Sequence, residues 1–369
     1  MKLDELLLKT GEWARAEGPH QDIVISSRVR LARNLRESSF PGWAKKPERV
    51  EVLGRLRNAV EALPEMQGAF FSGMEDLEQL EKRVLVERHL ISREHAAKGA
   101  GSGVVINAEQ SLSLMLNEED HLRMQSIRSG LRLTEAYEAL DHLDTQLEEK
   151  LDFAFHLELG YLTACPTNVG TGMRASAMMH LPALALTERI GQVVHAVNKI
   201  SLAVRGLYGE GSEALGNLFQ ISNQTTLGES EREILARLEK VVMQVIEHEQ
   251  SARQFLLKQK LTTLQDQIGR SYGVLTHAHT LNSKETLNLL SIARLGLDLG
   301  AYPKECQELL DELFVEIQPA HLQKDIQRKL EITERDELRA DLVRTKLQKL
   351  PPPTMLAPKG TADAPQGAN

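Results

Sequence analysis

Two cysteines in 369 residues, Cys165 and Cys306, exclude a disulfide framework, and they form no thiol cluster of metal-site spacing. Long apolar runs are missing. The short Leu6-Leu7-Leu8 run beside Asp4 and Glu5 reads as neither a signal peptide nor a membrane span. Positive charge is not in excess: a net charge of −8 argues against a general binder of nucleic acid or anionic membranes, while leaving space for a local basic site. Also absent are a Gly-x4-Gly-Lys-Ser/Thr loop and a His-Arg-Asp or Asp-Phe-Gly set. A phosphate-bearing ligand would therefore have to be gripped by side chains. With 41% apolar and 26% charged residues, the chain reads as soluble, globular and cytoplasmic, with two or three domains and a sizeable core.

What is present concentrates at Asn117-Glu118-Glu119-Asp120-His121-Leu122-Arg123. Before it, Leu112, Leu114 and Leu116 alternate with Ser113 and Met115, predicting a strand. After it, Leu122, Met124 and Ser126 alternate with Arg123, Gln125 and Ile127, predicting a second. So much charge at a strand-to-strand corner is costly to fold unless something binds there.

Along the chain, Lys2 to Ala16 reads as a short amphipathic helix. In Ser26-Ser27-Arg28-Val29-Arg30-Leu31, the two guanidinium groups share one strand face above a buried aliphatic pair. Paired forks of this kind suit phosphate oxygens. Residues 47–63 read as a helix, 82–91 as a strand through Val84 and Val86 that carries His89, and 134–155 as a helix. Cys165-Pro166-Thr167-Asn168 leads through Gly170 and Gly172 to Arg174, a loop at a strand end. Residues 181–197 predict a helix, 200–207 a strand into a glycine-rich loop with Gly206, Gly209 and Gly211, and 217–222 a strand. From Glu229 long helices take over, with Ile234, Leu238, Val241, Val245, Leu256, Leu264 and Ile268 on their apolar stripes. Residues 351–369 are rich in Pro, Ala and Gly and read as a disordered tail.

Asn-Glu-Glu-Asp-His-Leu-Arg resembles the signature of the phosphagen (ATP:guanido) kinases, which phosphorylate guanidine nitrogens. Ser26 to Arg30 is similar to their nucleotide-phosphate strand, and Cys165 to Thr171 to their active-site cysteine segment. The resemblance runs from about Asp22 to Ala340. It implies an α+β catalytic domain over 1–228, with a glutamine-synthetase-like antiparallel sheet flanked by helices, and an all-α domain over 229–350. The cofactors implied are ATP and Mg²⁺, with no dedicated protein metal ligand. The implied nucleotide contacts are Ser26, Ser27, Arg28, Val29, Arg30, His89 against the adenine, Arg123, Arg174, Ala175, Ser176, Ala177, Met178, Arg205, Gly206, Leu207, Tyr208, Gly209 and Glu210. Glu119 and Glu210 would orient the acceptor guanidinium on two edges, one of them taking its proton, with Cys165 nearby.

Two details resemble the bacterial protein-arginine kinases within that family. Only 25 residues precede the Ser26 strand, and the helical domain follows the catalytic part, an arrangement that admits an arginine still in a chain. Arg335-Asp336-Glu337-Leu338-Arg339-Ala340 is similar to their phosphoarginine-binding motif, implying an allosteric site. The function implied is phosphorylation of protein arginines, marking proteins for a Clp protease and acting in stress control. The implied partners are a zinc-binding activator, a Clp ATPase, a stress-gene repressor and a second copy of the chain. A free-guanidine kinase and a non-catalytic phosphoarginine-binding adaptor are the alternatives.

Overall fold

The computed structural model describes residues 1–15, 17–206, 215–324, 326, 328 and 330–356. The strands are β1 (Val24–Arg33), β2 (Phe70–Gly73), β3 (Gly103–Ile106), β4 (Leu112–Leu116), β5 (Leu122–Ser129), β6 (Phe155–His156), β7 (Gly160–Tyr161), β8 (Met173–His180), β9 (Leu202–Arg205) and β10 (Leu218–Asn223). The helices of the first half are α1 (Leu3–Leu7), α2 (Lys46–Glu61), α3 (Gln79–Glu87), α4 (Arg93–Ala96), α5 (Leu133–Glu148), α6 (Pro182–Leu186) and α7 (Ile190–Asn198). Those of the second half are α8 (Glu231–Gln259), α9 (Leu261–His277), α10 (Ser283–Asp298), α11 (Gln307–Glu316), α12 (Pro319–Lys324) and α13 (Ile332–Leu347). Among the described residues no helix is long and apolar enough to cross a membrane.

Eight strands form one antiparallel sheet in the order β2-β3-β4-β5-β1-β8-β10-β9, with β6–β7 a separate pair. The period of two decides its faces. Val29, Leu31, Met124, Ala175, Ala177 and Ile221 join one apolar core, covered by α2, α5 and α8. On the opposite face, β3 and β4 bury Val104, Ile106 and Met115 against α1 and α3. Further along that face the side chains are polar.

Several sequence expectations need correcting. Residues 82–91 are not a strand: Val84 and Leu85 pack from α3, and its turn ends at His89. The helix begun at Leu133 stops at Glu148, because the following backbone bonds elsewhere: Arg36 N–H donates to Asp152 O at 3.0 Å and Ala154 N–H to Asn34 O at 2.7 Å. The helix expected over 181–197 is two, broken at Glu188, whose φ is 58°. The N-terminal helix covers only Leu3–Leu7. Residues 351–356 pack down rather than hang free: Leu356 is buried and Thr354 N–H donates to Ala301 O at 2.9 Å. The rest of the expected tail lies outside the described residues.

Candidate active site

Register builds the polar face. Arg28 lies opposite Ser176 and Arg30 opposite Arg174 across β1–β8, while Ala32 lies opposite Arg123 across β1–β5. Gln220 of β10 sits opposite Arg205 of β9. Neighbouring strands therefore each send a guanidinium or an amide to the same side. Like charges facing across a ladder repel, so folding alone gives no reason for the Arg30–Arg174 pair. Arg28 Nη2 donates to the neutral Gln220 Oε1 at 3.1 Å, and the buried Nε of Arg30 meets no acceptor. Burial, then the charges of Arg123 and Arg174, pulls Arg28 down to about 10. Burial, then Arg28, lowers Arg30 well below its usual value. Glu118 offsets part of this at Arg30, and the positive charge left over at the cavity wall suits an anionic ligand.

The acidic corner is a tight turn between β4 and β5, closed by Asn117 N–H to His121 O at 2.8 Å with Asn117 at φ 54°. The side chains of residues 118–121 divide the work. Glu118 is buried, takes the Ser92 hydroxyl, and accepts from Arg123 Nη1 at 2.6 Å. Burial works against both charges of that pair, yet their attraction prevails, lowering Glu118 and raising Arg123. Asp120 accepts from Asn34 Nδ2 at 2.6 Å and from Ala164 N–H at 2.7 Å, tying down the loop that carries Cys165. His121 Nδ1 accepts from Leu35 N–H at 3.1 Å while Nε2 lies 3.1 Å from Ser39 O, which pins the segment before Phe40. Glu119 alone of the three carboxylates is exposed. Burial, then Asp120, holds its pKa above the ordinary carboxyl value.

These groups line two adjoining hollows. A cavity of about 840 Å³ takes Arg28, Arg30, His89, Ile91, Ser92, Glu119, Arg123, Arg174, Arg205 and Gln220, with Phe40 and Trp43 at its mouth. A second, of about 510 Å³, shares Arg30, Glu119, Arg123, Arg174 and Arg205 with the first and adds Cys165. Cys165 Sγ lies 3.0 Å from Thr167 Oγ1. Gly170 and Gly172 bring this loop against the sheet with positive φ, where a Cβ would strike Thr226 O and Ala32 O.

His89 closes the other end. Its ring packs edge-on against Trp13 at 4.9 Å, and burial, then Arg28, lowers it to about 3, so it is neutral at ordinary pH. Ser176 and Met178 line a small adjacent hollow with Ser26. Ser27 points away from the cavities: its hydroxyl donates to Gly130 O at 2.8 Å and accepts from Arg132 N–H at 2.9 Å. Val29, Ala175 and Ala177 lie in the core. Gly206 is described, but Leu207, Tyr208, Gly209 and Glu210 lie outside the described residues, so the expected meeting of Glu119 with Glu210 does too.

The sequence pattern gave Glu118 no role of its own and did not single out Ser92, Gln220, Trp13, Phe40 or Trp43. Gln220 carried a signal, since it alternates with Ile221 on β10. In the helical region the Arg335–Ala340 motif lies on α13. Arg339 is 1% exposed, donating from Nε to Ile317 O at 2.9 Å and from Nη1 to Leu281 O at 2.7 Å and Asp336 Oδ1 at 2.6 Å. Ala340 is buried, whereas Arg335 is partly exposed.

The geometry has counterparts in known proteins. Residues 51–252 match the family model of the ATP:guanido phosphotransferase C-terminal catalytic domain, and 261–357 match that of the protein-arginine kinase McsB C-terminal domain. The chain belongs to the protein-arginine kinase family. A protein-arginine kinase of Halothermothrix orenii is 49% identical over 94% of this chain and 99% of its own length. One from Brevibacillus brevis is 48% identical over 91% and 95%. Among solved structures, lombricine kinase is similar with a TM-score of 0.57 and 26% identity, over 68% of this chain and 71% of that one. The duplicated taurocyamine kinase of Schistosoma mansoni gives 0.58 and 26%, over 63% of this chain and 34% of that one. The family thus has the phosphagen-kinase fold, with the sheet and flanking helices followed by a helical region. The first family model ends within α8, the helix that packs on β8 and β10.

Proposed function

We propose that the chain transfers the γ-phosphoryl group of ATP to the guanidinium of arginine residues in proteins. The observation that carries this reading is the shared hollow, with an arginine cage on the sheet and the Glu119 carboxylate at its edge. In this reading Arg28, Arg30, Arg174 and Arg205 hold the triphosphate. Arg123, fixed by Glu118, faces the group in transfer and offsets the charge that develops there. Mg²⁺ arriving with the nucleotide would add positive charge at the phosphates from a shell largely of water. The cage fits such a cargo, since its half-buried positive charge exceeds the acid beside it.

A guanidinium is a poor nucleophile while its lone pair is delocalised. Glu119 orients it and removes the proton as the N–P bond forms, a task suited to a carboxylate whose pKa is raised. Glu210 is proposed for the second edge and Cys165 for the space beside the acceptor. The neutral His89 ring takes the nucleotide base. Phe40 and the 89% exposed Trp43 give the mouth an aromatic lip, which favours an acceptor that continues beyond its guanidinium.

For the α13 motif the reading is a regulatory phosphoarginine site. Arg335 and Asp336 would meet the ligand, and Arg339 with Ala340 would frame it. An unchanged response to phosphoarginine in Arg335→Ala would count against this. By family resemblance we also propose a cytoplasmic setting, a homodimer, a zinc-binding activator, a stress-gene repressor target and delivery of marked proteins to a Clp ATPase and protease.

The deciding experiment is mass spectrometry, under non-acidic conditions, of an arginine-bearing protein incubated with Mg-ATP and the chain. Phosphoarginine on the protein is expected. Phosphorylation of free arginine alone would favour the free-guanidine reading, and no ATP turnover with either acceptor would overturn the assignment.

A further inference from the structure

The helical region meets the end of α3, the helix that leads into His89, at a place none of the motifs marks. Glu87 is the last residue of α3, a position where a carboxylate opposes its own helix dipole. Its partners come instead from the start of α12. Ala320 N–H donates to Oε1 at 2.8 Å and to Oε2 at 3.1 Å, and His321 N–H donates to Oε2 at 3.1 Å. His321 Nδ1 lies 2.8 Å from the same Oε2. Beside it Arg88 Nε lies 3.3 Å from His321 Nε2, and Arg88 Nη2 donates to Leu7 O at 2.7 Å.

The next residue is His89. The end of α3 is a Schellman turn: His89 N–H donates to Val86 O at 2.9 Å and Leu90 N–H to Leu85 O at 3.0 Å. The left-handed position of that turn, normally glycine's, is filled by His89 at φ 58°. Its carbonyl accepts from Gln125 Nε2 at 2.8 Å, and its ring stands against Trp13 at the cavity wall. A strained histidine facing a ligand cavity needs its helix end held still. The residue two positions before it is held by α12.

We propose that Glu87 is a positioning residue through which the helical region sets the His89 wall of the nucleotide pocket. On the other side of α12, Arg339 grips Ile317 O, two residues before Pro319. The α13 motif and His89 are thus joined through Ile317, α12 and Glu87. The inference rests on the proposed reading that this end of the cavity takes the nucleotide.

The test uses the full chain in a Trp43→Phe background, leaving Trp13 as the one tryptophan reporter. ATP binding is followed by Trp13 fluorescence, and phosphoryl transfer by steady-state kinetics. Glu87→Ala is expected to weaken ATP binding and raise its KM about tenfold, with kcat at saturating ATP within about twofold and an altered Trp13 spectrum. Glu87→Gln, which keeps an acceptor oxygen, should recover part of the loss. His321→Ala should shift KM in the same direction and supplies the test should Glu87→Ala fail to fold. Folded variants with wild-type ATP affinity and an unchanged Trp13 spectrum would overturn the proposal. So would a loss confined to kcat. If the parent itself shows no ATP response, the nucleotide reading of the cavity fails instead, and this inference with it.

Discussion

Arginines lie inside two regions of this molecule, fully buried in one and half-buried in the other, and they are treated in opposite ways. In the helical region, Arg294 bonds Asp298 at 3.3 Å, Asp311, and Gln21 O at 3.2 Å. Arg253 meets Glu249 at 3.0 Å, Asp22 at 3.3 Å and Asp298 at 3.4 Å. On the sheet's polar face, Arg28 has a neutral amide for partner, Arg30 an orphaned Nε, and Arg174 stands opposite Arg30. The consequences diverge too. Burial disfavours the Arg294 charge, but Asp311 and Asp298 outweigh it and raise its pKa, while Arg28 and Arg30 are lowered. Charge balanced by acids is framework. Charge left in surplus at a cavity wall marks the place of a ligand.

The sharpest way to break this comparison is to replace one arginine in each region. Arg30→Met should reduce kcat/KM by about three orders of magnitude, as loss of a phosphoryl-stabilising arginine does. Its thermal midpoint should hold or rise, because a half-buried charge repelled by Arg28, Arg123 and Arg174 is gone. A parallel drop in midpoint would show Arg30 to be framework.

Glu119→Gln should lower kcat by about two orders of magnitude with ATP affinity unchanged, measured by steady-state transfer and nucleotide titration. A general base works deprotonated, so wild-type kcat should fall as pH drops through the raised Glu119 value. That acid limb should vanish in the variant, and a limb that survives would remove Glu119 from the role. Arg294→Met should do the reverse of Arg30→Met. Leaving Asp311 without its cation, and Asp298 with Arg253 alone, should cost about 3–5 kcal/mol in denaturant unfolding, with kcat of the folded fraction intact. Trp43→Ala carries the smallest effect, a rise of about fivefold in KM for a protein acceptor with the KM for ATP unchanged. An equal rise for free arginine would mean that the lip does not read the polypeptide.

Much of the site was legible because strand alternation is local. Arg28 and Arg30 above Val29 and Leu31, and Arg123 beside Leu122 and Met124, follow from a period of two. What stayed hidden depended on partners far along the chain. The three acids at 118–120 are alike in sequence, yet Ser92 and Arg123 claim Glu118 and Asn34 and Ala164 claim Asp120, leaving Glu119 to face the cavity. Val84 and Val86 alternate as a strand does, but the segment is a helix, opened by the Glu78 and Glu81 capping box. It places Leu85 and Val86 in the cluster that holds Met115 and Ile106. Arg335 and Arg339 look equivalent on paper. Only the carbonyls of Ile317 and Leu281, brought in by other elements, separate the buried one from the partly exposed one.

The amino-acid order by itself determined which faces of the sheet strands are apolar, and that guanidinium groups and carboxylates recur on strands and at their ends. Those properties arise from neighbours within a few residues. The tertiary structure alone decided which charges are cancelled and which remain. A charge's worth depends on its burial and on the groups within a few ångströms, and here those groups come from opposite ends of the chain.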